Sequence, residues 1–150
     1  MVTEDYVSFE TAKLLKENGF NHWCYKCYGT AVYHKGTPIS FDEECDLKSE
    51  GLENEIEYVD GGYLYDFGCD NRKKDEKVWA APTLQRAMKW LRKKYNIHIE
   101  PRYFPMPNIY RYVIIHSPMT IENIDSHPQY FNTHEEACDA AIKYCLENLI

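Results

Sequence analysis

The segment from Val78 to Glu100 (VWAAPTLQRAMKWLRKKYNIHIE) constrains the fold more than any other part of the chain. Pro82 suits the first turn of a helix, where its missing N–H needs no partner. Apolar residues then recur at the spacing of one helical face, and Asn96 tolerates the left-handed conformation that often ends a helix. The alternation in residues 97–100 (IHIE) is typical of a half-buried strand. The segment therefore predicts a helix followed directly by a strand.

The polar side of this helix is basic, although the whole chain carries a net charge of −7. Residues 71–94 hold nine bases and two acids. One interpretation is a binding surface for an anionic partner, with an aromatic ring at its edge. The other is a solvated helix face, whose cations interact favourably with the C-terminal end of the helix dipole and keep the protein soluble. The candidate binding residues are Arg86, Lys89, Trp90, Lys93, Lys73 and Lys74.

Two further helices are predicted, one at each end of the chain. Ser8 is a suitable N-cap for a helix reaching about Asn18, and Thr133 with Glu136 three residues later forms a capping-box pattern for the last helix. Cys138 and Cys145 lie on the apolar face of that last helix, which is typical of small core residues.

The strands are predicted from alternating runs at 23–33, 97–100 and 110–116. Residues 55–60 and 63–67 alternate on either side of a Gly-Gly pair, which favours a hairpin. Residues 34–54 are polar, acidic and rich in turn formers, so we predict a long acidic loop there, with at most a short helical turn near 41–45. Residues 117–131 are predicted to form another loop.

These elements predict one α+β domain spanning residues 1–150, with three helices packed on a mainly antiparallel sheet. The run Lys13–Lys16 resembles Lys89–Arg92, and each is followed by a stop signal and then strands. Two helix–strand–strand units and a C-terminal helix would fit this pattern.

Cys24 and Cys27 have the only spacing among the six cysteines that is typical of a metal or redox site. Both fall on a predicted strand, where residues three apart point to opposite faces, and no second cysteine pair completes a zinc ribbon. They are weak metal candidates, and we expect no cofactor. The chain starts without a signal-peptide pattern and has no membrane-length apolar run, so we expect a cytoplasmic protein with reduced cysteines and no membrane partner.

Three segments together resemble small proteins from phages, prophages and other mobile elements of gut Bacteroidales: Tyr6–Phe20 (YVSFETAKLLKENGF), Ala80–Ile99 (AAPTLQRAMKWLRKKYNIHI) and His134–Leu149 (HEEACDAAIKYCLENL). The resemblance implies a bacterial cytoplasm, an accessory gene, and a target that is a macromolecule or a small signalling ligand. It transfers no catalytic residue, because that family has no assigned activity.

The sequence contains no nucleophile elbow, P-loop or dinucleotide fingerprint, which favours a protein that is not an enzyme. Our leading hypothesis is a non-enzymatic binding protein of a phage or mobile element that acts on a host or phage protein. One alternative is nucleic-acid binding through the basic 72–94 segment, and another is a metal-binding or enzymatic domain built on Cys24 and Cys27. Association between copies through the acidic N-terminal half and the basic segment is also compatible with the charges.

Overall fold

The chain has an α+β fold, as predicted, in a computed structural model that describes residues 5–116, 120–123 and 130–150. The helices are Phe9–Glu17 (α1), Phe41–Ser49 (α2), Leu84–Tyr95 (α3) and His134–Asn148 (α4). The strands are Cys27–His34 (β1), Thr37–Pro38 (β2), Ile56–Tyr65 (β3), Trp79–Ala80 (β4), Ile97–Phe104 (β5), Ile109–His116 (β6) and Thr120–Asn123 (β7). All pairings among these strands are antiparallel.

The chain divides into two compact units. The first unit combines Met1–Phe20 with Ala81–Ile150, and the second is Asn21–Ala80. The prediction of a single domain stays a prediction. The helix–strand–strand arrangement is present as α3–β5–β6, whereas α1 and β1 belong to different units.

The first unit is built on the sheet β5-β6-β7. Strand β5 begins with alternating buried and exposed residues as expected: Ile97 and Ile99 are buried, and Ile114, the cross-strand partner of Ile99, is fully buried. Helices α3 and α4 both pack against β5, and α1 packs against α4. Cys138 and Cys145 are completely buried in α4, which confirms them as core residues.

Side-chain caps fix where the helices of this unit begin. Ser8 and Thr133 are N-caps, as predicted, and accept hydrogen bonds from the backbone N–H groups of Thr11 and Glu136. Ser8 also donates its N–H and its hydroxyl to the two carboxylate oxygens of Asp139, both at 2.8 Å. Because Asp139 belongs to α4, this one serine both starts α1 and ties it to the last helix.

The second unit is a sheet in the order β2-β1-β3, with β4 also paired to β1. The predicted hairpin around Gly61-Gly62 is wrong, because both alternating runs belong to the single strand β3. The register against β1 shifts between Gly29 and Thr30, which pair with Tyr63 and Asp60. The Gly-Gly pair is therefore a bulge in one strand, and the φ of +72° at Gly61 is one that glycine adopts without strain.

Residues 34–54 are not the long loop that we predicted, since they contain β2 and the nine-residue helix α2. Ser40 caps this helix, and the three acidic side chains in its first turn interact favourably with the positive end of the helix dipole. An acidic composition therefore suits the start of this helix as well as it suits a loop. In the predicted 117–131 loop, β7 is a strand, and residues 117–119 and 124–129 lie outside the described part. No helix in the described ranges has both the length and the hydrophobicity needed to cross a membrane.

Candidate functional site

The exposed side of α3 is a continuous basic surface. Its apolar positions, Leu84, Ala87, Met88 and Leu91, are buried, which leaves the opposite side of the helix in solvent. We call the exposed side the α3 basic face and define it as Arg86, Lys89, Arg92 and Lys93. Helical geometry of 1.5 Å per residue gives it a length of about 10 Å.

Within the ranges that the structure describes, the cations of the α3 basic face make no ion pair, whereas several cations of other segments do. Within the described residues, no carboxylate oxygen lies within 4.0 Å of a cation of α3. Seven lysines and arginines in other elements each lie next to an acid: Lys26–Asp66, Lys48–Glu44, Arg72–Asp70, Lys73–Glu76, Lys77–Asp60, Arg102–Glu100 and Lys143–Glu10. In a chain with more acids than bases, this helix therefore presents an uncompensated positive charge.

Trp90 is a core residue, and its burial argues against the interpretation in which its ring forms the aromatic edge of the basic surface. Its side chain is only 8% exposed. The ring packs edge-on against Phe20 and Tyr95, with centroids 5.4 Å apart in both contacts. Lys94 places its Nζ 5.1 Å from the Trp90 ring centroid, which is a cation–π contact. A nucleic-acid base has no open tryptophan face to stack on here.

Lys73 and Lys74 do not extend the α3 basic face along the same element. They belong to the second unit, whereas Arg86, Lys89 and Lys93 belong to the first. Lys73 lies 3.2 Å from Glu76, and Lys74 is exposed. Nearby, the Arg72 side chain lowers the pKa of Asp70 by hydrogen bonding to its carboxylate. The basic 72–94 segment is thus divided between the two units, and its cations have different local partners in each.

Cys24 and Cys27 do not form the pair that their spacing suggests. Cys27 makes a disulfide with Cys69, with Cα atoms 6.3 Å apart. The prediction that all cysteines are reduced is therefore wrong for these two residues. The described part of the chain contains no group of three or more histidine, cysteine or acidic side chains that could hold a metal ion.

The sequence reasoning missed two features of the second unit. The disulfide joins residues 42 positions apart, and no local pattern indicates such a pairing. Strand β3 and the residues after it also form an aromatic row, in which the Tyr65 ring lies 4.6 Å from Tyr63 and 5.4 Å from Phe67. These three aromatics are spaced by two residues within the strand predicted at 63–67, and this spacing alone places them on one face of a strand.

Two groups in the core of the first unit have raised pKa values. Burial raises the pKa of Tyr112 and raises that of Cys138 to about 11. Both groups pack in the core of the first unit, so both stay protonated near neutral pH. A cysteine in this state is a poor nucleophile.

Comparisons of this chain with family models, curated proteins and solved structures found no match.

Proposed function

We propose that this chain is a non-enzymatic accessory binding protein of a phage or mobile element, and that its α3 basic face binds an acidic surface on a host or phage protein. The observation that carries the proposal is the contrast in pairing. The α3 cations have no acidic neighbour within the described residues, whereas seven cations on other elements do. The resemblance of three segments to proteins of Bacteroidales mobile elements supports a bacterial cytoplasm as the setting.

An acidic protein is a better partner for this surface than a nucleic acid. Single-strand binders combine cations with aromatic faces on which bases stack, and Trp90 is buried. Three other cations of this segment, Arg72, Lys73 and Lys77, already have acidic partners. A net charge of −7 repels any anionic partner at long range, and it repels a polyanion more strongly than a protein with one acidic patch.

The electrostatics predict how such an interaction behaves. Charges on an exposed helix are screened over about 8 Å at physiological ionic strength. Complementary surface charge mainly raises the association rate and sets specificity. Binding through the α3 basic face should therefore weaken as salt rises, chiefly through slower association.

A pull-down with charge-reversed variants tests the proposal. Each protein is immobilised as bait and exposed to lysate from a Bacteroidales host. The test variant is Arg86→Glu/Lys89→Glu/Lys93→Glu. The matched control is Lys48→Glu/Arg102→Glu/Lys143→Glu, which changes the net charge equally but alters cations that already have acidic partners. We expect a protein that wild type and control recover and the test variant loses.

Other outcomes distinguish the alternatives. Material that disappears after nuclease treatment would favour nucleic-acid binding. Equal loss in both variants would indicate a general effect of net charge, and equal recovery in both would show that the α3 basic face is only a solvated surface. Equal loss in both variants and equal recovery in both variants each contradict the proposal.

A further inference from the structure

Three of the six cysteines converge in the second unit. Cys27 and Cys69 form the disulfide, and Cys24 lies opposite Cys69 in an isolated antiparallel bridge. The bridge has a hydrogen bond in each direction, 2.7 Å from the Cys24 N–H to the Cys69 carbonyl and 3.0 Å in reverse. Directly paired residues of an antiparallel bridge have Cα atoms about 5.5 Å apart, which is within the range that a disulfide spans. Cys69 therefore has two cysteines within bonding reach.

The three cysteines differ in their access to solvent. Cys27 is completely buried and Cys24 is 2% exposed, whereas Cys69 is partly exposed. Cys69 also lines a cleft of about 560 Å³, together with Trp23, Gly68, Asp70, Arg72 and Lys73. Of these three cysteines, only Cys69 is both partly exposed and among the residues that line this cleft.

We propose that Cys69 is the entry point of a thiol–disulfide exchange site that reacts with low-molecular-weight thiols and disulfides. An external thiolate attacks the Sγ atom of Cys69, the bond to Cys27 breaks, and Cys27 leaves as a thiolate. The product is a mixed disulfide between Cys69 and the small thiol. This inference does not depend on the function proposed for α3.

The mixed disulfide is resolved within the chain. A thiolate of Cys24 or Cys27 attacks Cys69, a new S–S bond forms, and the small thiol leaves as a thiolate. Attack by Cys27 restores the original disulfide, and attack by Cys24 gives a Cys24–Cys69 disulfide. Each exchange conserves the number of disulfides, so the steps need no other oxidant or reductant. Cys69 is the shared sulfur of two alternative disulfides.

Oxidised glutathione and peptide mapping test this assignment in the full chain. All proteins carry Cys45→Ser, because Cys45 is an exposed thiol that would also react. Trypsin cuts after Lys26 and so places Cys24 and Cys27 in different peptides. In the reduced Cys27→Ser protein we expect a Cys24–Cys69 disulfide. In Cys24→Ser/Cys27→Ser we expect one glutathione on Cys69, and in Cys69→Ser we expect Cys24 and Cys27 to stay thiols.

Two results would overturn the proposal. One is glutathione on Cys24 or Cys27 in the Cys69→Ser protein whose far-UV circular dichroism is that of the parent. The other is a Cys27→Ser protein that keeps glutathione on Cys69 while Cys24 stays alkylatable. If the Cys24, Cys27 or Cys69 variants fail to fold, the proposal can still be tested on the protein that carries Cys45→Ser alone. The Cys45→Ser protein in a glutathione redox buffer should contain Cys24–Cys69 peptides beside Cys27–Cys69 peptides, and their complete absence would also refute the exchange.

Discussion

Truncating Trp90 is the sharpest test of whether this residue stabilises the fold or binds a ligand. A tryptophan side chain buries roughly 200 Å², and at about 25 cal/mol per Å² a burial of this extent contributes about 4–5 kcal/mol. Core substitutions of this kind typically cost about 3–5 kcal/mol. Because Trp90 is only 8% exposed and contacts the rings of Phe20 and Tyr95, we expect Trp90→Ala to lose about 3–5 kcal/mol of unfolding free energy.

Urea denaturation followed by far-UV circular dichroism measures this loss. Trp23→Ala is the matched control, since Trp23 is 48% exposed and should lose about half as much or less. Trp90→Phe keeps an aromatic ring in place and should fall between wild type and Trp90→Ala. A loss below about 1 kcal/mol in Trp90→Ala, combined with weaker nucleic-acid binding, would refute the assignment of Trp90 to the core.

Three further predictions follow from particular contacts. Gly62→Ala should destabilise the protein in thermal unfolding, since an added Cβ would lie 2.7 Å from the Cβ of Ala31; an unchanged Tm would argue against the bulge. The Lys143 side chain lowers the pKa of Glu10 in the folded protein, so the ion pair should stabilise the fold at neutral pH. The difference in unfolding free energy between wild type and Glu10→Gln should then be lost as the pH falls below 4.5 and through the lowered pKa of Glu10. A difference that does not change with pH would contradict the ion pair. At pH 8 iodoacetamide should label exposed Cys45 in the native protein and leave Cys138 unmodified, because burial raises the pKa of Cys138 to about 11; equal labelling would refute its burial.

The local sequence predicts those parts of the fold that local forces determine. The periodicity of α3, the left-handed stop at Asn96 and the alternation of β5 all follow from contacts within a few residues. Ser8 and Thr133 were identifiable as caps for the same reason, since a cap acts on the next turn of its own helix. These predictions needed no knowledge of the rest of the chain.

Several features that the sequence did not predict depend on residues that are far apart in the chain. Gly61-Gly62 can form either a turn or a bulge, and the pairing with β1 decides between them. The exposure of Trp90 could not be inferred from α3 alone, because Phe20 covers one side of its ring. Among the described residues, seven cations of other segments have an acid within 4.0 Å and the cations of α3 have none, and this contrast is likewise a property of the tertiary structure.

The most direct test of the α3 interaction is photo-crosslinking from the helix itself in host cells. Benzoylphenylalanine replaces Gln85, which is exposed and adjacent to the α3 basic face, or Glu147, which is exposed on α4 as a control. We predict a crosslinked protein adduct from position 85 that is absent from position 147 and is lost when Arg86, Lys89 and Lys93 are reversed to glutamate. Adducts of equal yield from both positions, adducts to nucleic acid, or no adduct at position 85 would contradict the account.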